Sequence, residues 1–477
     1  MTITRVAAQP IAREVPDLHR LFQLQQHAFR LHPNPPAGER RAHLSTVCRL
    51  LRDHGDDIAA AIGEDFGHRS PHETRILELF PSLQAAKHAR ARVTRWMRPE
   101  RKPVALWFRP GRARVVKQPL GVIGVIVPWN YPLFLSVGPL VSALAAGNRV
   151  MIKTSELTPR FAELFARLIA DAFASDHVAV VTGDVDIARA FATKPFDHLL
   201  FTGSSSVGRQ VMRAAAENLT PVTLELGGKS PAIIAPGFPV DEAARRIMWG
   251  KCLNAGQTCI APDYVLLPAD QLPRFIEAAG DEVRRLYPDG AASADYTAII
   301  DARHYRRLLG YLEEARAKGA QTLPLAGGGS DVTRKLPPTL VTGVTHDMGV
   351  MQDEIFGPLL PVVPYRTLDE ALADVADRPR PLAMYYFDRD RARIDRVLDR
   401  SMAGGVTINE TMLHIAQDEL PFGGVGASGM GHYHGEAGFN TFSKRKGVFV
   451  QSRLNGVRLF KPPYGKRVER LLKLILR

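Results

Sequence analysis

Residues 119–226 restrict the fold most, because short apolar runs alternate there with amphipathic segments. Leu120 to Val127 is nearly uninterrupted in its apolar character, as a strand buried on both faces of a parallel sheet would be. Pro128-Trp129-Asn130-Tyr131-Pro132 breaks it. Leu133 to Ala146 then reads as an apolar helix, in spite of Pro139, ended by Gly147-Asn148. Arg149 to Lys153 is the next strand, and Thr158 followed by Pro159 has the form of an N-cap with a first-turn proline, opening a helix to about Phe173. Strands are predicted at Val178 to Val181, His198 to Phe201 and Pro221 to Leu226, with helices at Asp186 to Thr193 and Val207 to Glu217. This order implies an open, mostly parallel sheet with helices on both faces.

After Gly227-Gly228 a similar alternation resumes. Strands are expected at Pro231 to Ile234, Leu359 to Val363 and Ala383 to Phe387, and helices at Asp241 to Cys252, Tyr305 to Lys318 and Asp390 to Ser401. The reading is a second α/β domain, in keeping with a 477-residue chain that is too long for one ordinary core. Ahead of both lies a helical stretch of about a hundred residues; Leu44, Val47, Leu51 and Ile58 fall at helical spacing between Arg40 and Ile62. Pro103 to Lys117 is short, basic and β-like.

The balance of 45% hydrophobic and 23% charged residues is that of a folded, soluble enzyme. No apolar run approaches the roughly 20 residues needed to span a bilayer. Met1 to Pro10 lacks the apolar centre of a signal peptide, so a cytoplasmic location is expected. Three cysteines, Cys48, Cys252 and Cys259, make neither a disulfide framework nor zinc spacing, and no metal is expected. The net charge of +13 is uneven: Thr441 to Arg477 holds eleven Lys or Arg against a single acid, Glu469. A second basic cluster runs from Arg90 to Lys117. Neither is regularly interleaved with aromatic side chains, so a solvated face is favoured over nucleic-acid binding.

Several residues that can carry chemistry fall in turns or at strand ends. Cys259 follows Asn254-Ala255-Gly256-Gln257-Thr258, a small and polar run that suits a thiol on a turn, with a buried structural cysteine as the alternative. Glu225 ends an apolar strand beside two glycines; burial there would raise its pKa toward that of a general base, whereas a pair with Lys229 would make it structural. The Asn130 amide lies where a donor to an oxyanion is useful, or where it closes an Asx turn. Gly203, Ser204 and Gly208 follow a strand and open a helix, as a dinucleotide phosphate site would, although the spacing is not G-x-G-x-x-G. Lys153 and Glu156 stand at a strand end, placed for ribose hydroxyls or for a surface ion pair. Glu354 and Phe356 precede a strand, either as a cofactor contact or as a plain turn. Pro421 to Gly431 is glycine-rich and reads as a covering loop or a linker, with Phe422 and Met430 as packing residues.

These motifs resemble the NAD(P)-dependent aldehyde dehydrogenases over nearly the whole chain. The likeness rests on Pro128 to Pro132, Leu224 to Lys229, Gly256 to Cys259 and Glu354 to Pro358. Cys259 to Tyr264, Gly429 to Gly435 and Pro462 to Tyr464 are similar to the class 3 branch. Asp65 to Ser70, His72 to Thr74 and Arg95 to Pro99 look most like bacterial coniferyl-aldehyde dehydrogenases.

The resemblance implies an α/β fold with a Rossmann-like cofactor domain (residues 1–99 and 119–227), a catalytic α/β domain (228–425) and a small β oligomerisation element (100–118 and 436–452). A basic tail, 453–477, would follow, and the protein would be a homodimer. It implies Cys259 as nucleophile, Asn130 and the Cys259 N–H as oxyanion hole, and Glu225 as deacylation base with Glu354 as runner-up. Lys153 and Glu156 would hold the adenine ribose, Gly203, Ser204 and Gly208 the pyrophosphate, and Glu354 with Phe356 the nicotinamide half. Ser205 stands where many members have Thr. The expected reaction is oxidation of an aldehyde, aromatic by the amino-terminal motifs, or else aliphatic or broad-range. NAD is favoured over NADP because Glu156 would repel a 2′-phosphate. Competing readings are a thiol esterase, a CoA-acylating relative and a nucleic-acid binder. Val468, Leu471, Leu472 and Ile475 lie at i, i+3, i+4 and i+7, which predicts a short amphipathic tail helix, with docking on the protein's own dimer favoured over membrane contact.

Overall fold

The computed structural model describes residues 18–457 and 461–476. The leader reading at Met1 to Pro10 and the last tail residue, Arg477, lie outside them. Five helices open the described chain, and the stretch read as one helix from Arg40 to Ile62 is two, Ala37–Asp53 and Gly55–Asp65.

Six strands then form one sheet in the spatial order Gly429–Met430, Val222–Glu225, His198–Thr202, Val122–Ile126, Arg149–Lys153, Val178–Val181. The last five are parallel, and the first is an antiparallel edge that pairs Gly429 with Glu225. Every residue of Val122–Ile126 is buried, which is why that strand reads as a continuous apolar run. This first strand has the second on one side and the fourth-formed one, His198–Thr202, on the other. The connections reverse direction there, and the carboxyl ends of these two strands border a crevice of the kind that admits a dinucleotide.

The second sheet has seven strands, in the order Gln321–Pro324, Thr339–Thr342, Leu359–Tyr365, Tyr264–Pro268, Pro231–Ile234, Ala383–Phe387, Gly405–Ile408, parallel except for the first. A third, antiparallel sheet joins Glu100–Lys102, Arg112–Pro119 and Ser443–Val450. It joins strands from both parts of the small β element expected at 100–118 and 436–452.

The cap expected at Thr158 needs correction, and one of the alternatives left open at Pro421 to Gly431 closes. Thr158 does not cap the helix Pro159–Ala172; its hydroxyl is buried without a partner. Asp65 caps it from another helix, accepting from the N–H groups of Arg160 at 3.0 Å and Phe161 at 2.9 Å. Pro421 to Gly431 is no linker either: its end is the edge strand on Val222–Glu225, and a Cβ at Gly423 would lie 1.9 Å from the Gly431 carbonyl oxygen. Phe422 is buried as expected, but Met430 is exposed.

Candidate active site

The turn that carries Cys259 is built on backbone angles that few residues accept. Asn254, Ala255 and Gly256 all have positive φ, at 52°, 50° and 73°. A Cβ on Gly256 would lie 2.2 Å from the Gly357 carbonyl oxygen, so glycine here serves close approach to the turn that bears Glu354 and Phe356, and not to a ligand. Gln257 fixes the loop from inside, donating to the carbonyls of Asn254 (2.9 Å) and Ala298 (3.0 Å) and accepting from Ile300 N–H at 3.0 Å. Asn254 Nδ2 donates to the Asn130 carbonyl at 3.0 Å. The Asn130 amide in turn donates to the Gln257 carbonyl at 3.2 Å, which leaves its second hydrogen available.

Cys259 is half-buried, on the wall of a chamber of about 370 Å³. Burial first, then the carboxylates of Glu354 and Glu225, push its thiol pKa up; its own N–H and that of Ile260 act the other way. Glu225 is buried with both carboxylate oxygens unpartnered. Desolvation raises its pKa well above the ordinary carboxylate range. It does not pair with Lys229, whose amine instead bonds Asp263 at 2.5 Å. Glu354 accepts from the Gly228 N–H, and burial followed by the Asp263 charge pushes it up to about 8. Two carboxyls of raised pKa therefore bear on one thiol, a setting for proton transfer. Cys252 is buried, with its thiol pushed up to about 12, and packs in the core.

The cofactor candidates gather at the carboxyl ends of the first sheet. Lys153 is buried, not a surface ion pair, and donates to the carbonyls of Thr154 (2.7 Å) and Gly183 (2.8 Å). One of its three hydrogens remains for a ribose hydroxyl. Glu156 is exposed nearby, and its charge, with that of Asp184, opposes the desolvation that lowers the Lys153 pKa. Ser204 caps the helix Ser205–Ala216, whose free N-terminal groups face solvent at the strand ends, while Gly203 begins that turn. Gly208 is buried in the helix, with no room for a Cβ beside Leu226. Phe356 has φ 48° and stands edge-on to Trp129 at 5.3 Å. These features fit a dinucleotide laid across the crevice.

A buried ionic cluster was not recognised in the sequence as part of the site. Arg69 Nη1 donates to Glu78 at 2.8 Å and to the Asn130 carbonyl at 3.3 Å. Glu78 accepts from the N–H groups of Leu133 and Phe134, and Glu73 accepts from the Asn254 N–H at 2.6 Å. The Arg69 guanidinium lies between the rings of Phe66 and Tyr131. The signal was available: an Arg with acids four and nine residues on is unusual in a segment that packs inward. Tyr131 and Thr258, joined at 2.7 Å beside the nucleophile, also went unnoticed.

Among the described residues no group of His, Cys, Asp or Glu has the geometry of a metal site, and no helix is long and apolar enough to cross a membrane.

Comparison with known proteins agrees with the geometry. The model of the aldehyde dehydrogenase family matches residues 4–448. A "Probable coniferyl aldehyde dehydrogenase" of Pseudomonas aeruginosa is 54% identical over 470 residues, covering 98% of each chain. The substrate-bound state of Staphylococcus aureus AldH superposes with a TM-score of 0.91 at 36% identity, over 96% of this chain and 99% of that one. A Mycobacterium tuberculosis aldehyde dehydrogenase complexed with NAD+ gives 0.83 at 28% identity, over 91% and 90%. Family match and full-length relatives coincide, so the chain belongs to the aldehyde dehydrogenase family, as an NAD(P)-dependent enzyme that oxidises aldehydes.

Proposed function

We propose that the chain oxidises an aromatic aldehyde of the coniferyl type to its acid. The observation that carries the mechanism is the buried, unpartnered Glu225 carboxyl whose charge bears on Cys259. The aromatic substrate is supported by the relative that carries the coniferyl name and by an apolar chamber at the thiol.

In this reading the Cys259 thiol releases its proton to water and its sulfur adds to the aldehyde carbon. The oxygen that becomes negative is held by the free Asn130 amide hydrogen and the Cys259 N–H. A bound NAD(P)+ would supply the hydride acceptor for that carbon. Glu225 then takes a proton from water, the hydroxide adds to the thioester, and the acid leaves with return of the Cys259 thiolate. Lys153 and Glu156 would hold the adenine ribose, Gly203 and Ser204 would face the pyrophosphate with buried Gly208 letting their helix pack close to Leu226, and Glu354 with Phe356 would position the nicotinamide half. Exposed Glu156 favours NAD over NADP by repelling a 2′-phosphate.

Glu354 is the second reading for the base, because its charge weighs more on Cys259 than that of Glu225. A panel of aldehydes with both cofactors, followed by absorbance of the reduced nicotinamide, tests the activity. Glu225→Gln against Glu354→Gln assigns the base: the variant lacking it should keep a single hydride-transfer burst and lose steady-state turnover by about 100-fold or more. Normal turnover in Glu225→Gln would remove Glu225 from the role.

The proposal includes the division of the chain at Gly227-Gly228 into cofactor and catalytic domains. It also includes assembly as a homodimer and a cytoplasmic location, the last supported by three free thiols. The tail does form a helix, Lys466–Ile475, and contact with its own dimer is preferred to a membrane surface.

A further inference from the structure

The chamber at Cys259 has a direction. Tyr131, Thr258 and Tyr433 on its wall are buried, whereas Ile76, Phe80 and Gln84, which also line it, are exposed. The thiol therefore lies at the floor and the helix segment 76–84 at the mouth. The lining is apolar for the most part. Among the described residues that line it, Asp418 is the single one with a formal charge.

Asp418 is half-buried, and its backbone is clamped: a Cβ at Gly435 would come within 1.9 Å of the Asp418 carbonyl oxygen. Desolvation raises the Asp418 pKa, while His88 lowers it and Glu419 raises it. His88 and Arg92 turn to Glu419 at 3.5 Å each, and no described group donates a hydrogen bond to the Asp418 carboxyl. A half-buried carboxyl in a mainly apolar chamber with no protein donor takes its hydrogen bonds from water or from a ligand that displaces that water. Asp418 stands between exposed Gln417 and Glu419, on the outer side of the chamber, and a 4-hydroxyaryl aldehyde supplies the donor there: its O–H lies at the opposite end of the molecule from the aldehyde, which is the group that must reach the floor.

We propose that Asp418 is a specificity-determining residue, accepting a hydrogen bond from the phenolic hydroxyl of a 4-hydroxyaryl aldehyde whose carbonyl carbon is at Cys259. The inference rests on the aromatic-aldehyde reading above and names the substrate group it selects. A bond to a carboxylate in such a place is expected to change discrimination by about tenfold or more.

The test compares kcat/KM for 4-hydroxycinnamaldehyde, 4-methoxycinnamaldehyde and cinnamaldehyde, in the native enzyme and in Asp418→Leu and Asp418→Asn. The methoxy compound removes the donor and adds a methyl group, and cinnamaldehyde removes the oxygen altogether, so the two controls bracket the hydroxylated substrate in size. The native enzyme should prefer the hydroxylated substrate over both others by about tenfold or more. Asp418→Leu should bring that ratio close to one, through loss on the hydroxylated substrate, and Asp418→Asn, which keeps an acceptor oxygen, should retain part of it. A native preference that survives in Asp418→Leu overturns the assignment and leaves the aromatic reading standing. Equal rates on all three substrates in the native enzyme do the same. Failure to oxidise any of the three, with turnover of a saturated aliphatic aldehyde, overturns the aromatic reading itself and the proposal with it.

Discussion

The Glu225 carboxyl works against the stability of the fold that holds it. It is buried without a hydrogen-bond partner, and its folded-state pKa lies above the unfolded value. Its contribution to stability is therefore fully present below the unfolded pKa, near 4.3, and is lost as pH rises toward the folded value. Glu225→Gln cannot ionise and escapes that loss. The variant should be more stable than the native chain at pH 7, and the gap should narrow toward pH 4.5 at up to about 1.4 kcal/mol per pH unit. Urea unfolding at several pH values reads this directly. A constant gap across pH would mean that the carboxyl is not held above its ordinary range. Kinetically the same group gives a limb of rising activity with pH, and Glu225→Gln should remove it. Stability gained and turnover lost in one substitution is the trade-off expected of a strained functional residue.

At the scale of elements, the nucleophile loop is held by the amino-terminal helices. Arg69, Glu73 and Glu78 tie the Asn130 carbonyl, the Leu133 N–H and the Asn254 N–H into one buried cluster. Arg69→Met leaves Glu78 as an uncompensated charge, at a cost of about 3–5 kcal/mol. Adding Glu78→Gln removes the orphan and should recover part of that loss while still accepting from Leu133 and Phe134. Denaturation midpoints of the two variants check it; a double variant no more stable than the single would deny that the charge pair couples these elements. The cluster also marks what was legible in the sequence. Val122–Ile126 and the strands beside it were, because burial on both faces writes a continuous apolar run. Glu225 and Cys259 were, because polar residues among glycines are unfavourable in a core without use. The Asp65 cap was not, since it joins groups 95 and 96 residues apart and leaves no local pattern. The edge strand Gly429–Met430 was not, because two residues carry no periodicity. The chamber was not, because its wall is assembled from segments that meet only in the folded molecule.

Each of the three open sheets ends in two edge strands, and two of these edges bear on assembly: Gly405–Ile408 at one end of the seven-stranded sheet, and Ser443–Val450 at one end of the three-stranded one. Open edges invite pairing with another chain. Beside the second lies an apolar patch, where Leu106, Trp107, Phe108, Phe449 and Val450 are all exposed. Phe108 and Phe449 meet edge to face at 6.4 Å, so the patch is one ordered surface. A patch of this kind next to an open strand is a surface that an interface between copies would cover. One late strand laid on the Gly405–Ile408 edge of a second copy, with two-fold symmetry, would close these two edges on both copies and cover both patches. Light scattering should then give twice 52.6 kDa in solution. Trp107→Glu with Val450→Glu places charges at exposed positions that the monomer does not need, so the folded chain should survive and the mass fall toward 52.6 kDa. A double variant that stays at twice the monomer mass would move the interface elsewhere. A native chain that runs as a monomer would deny the interface, and the exposed aromatic cluster would then need another partner.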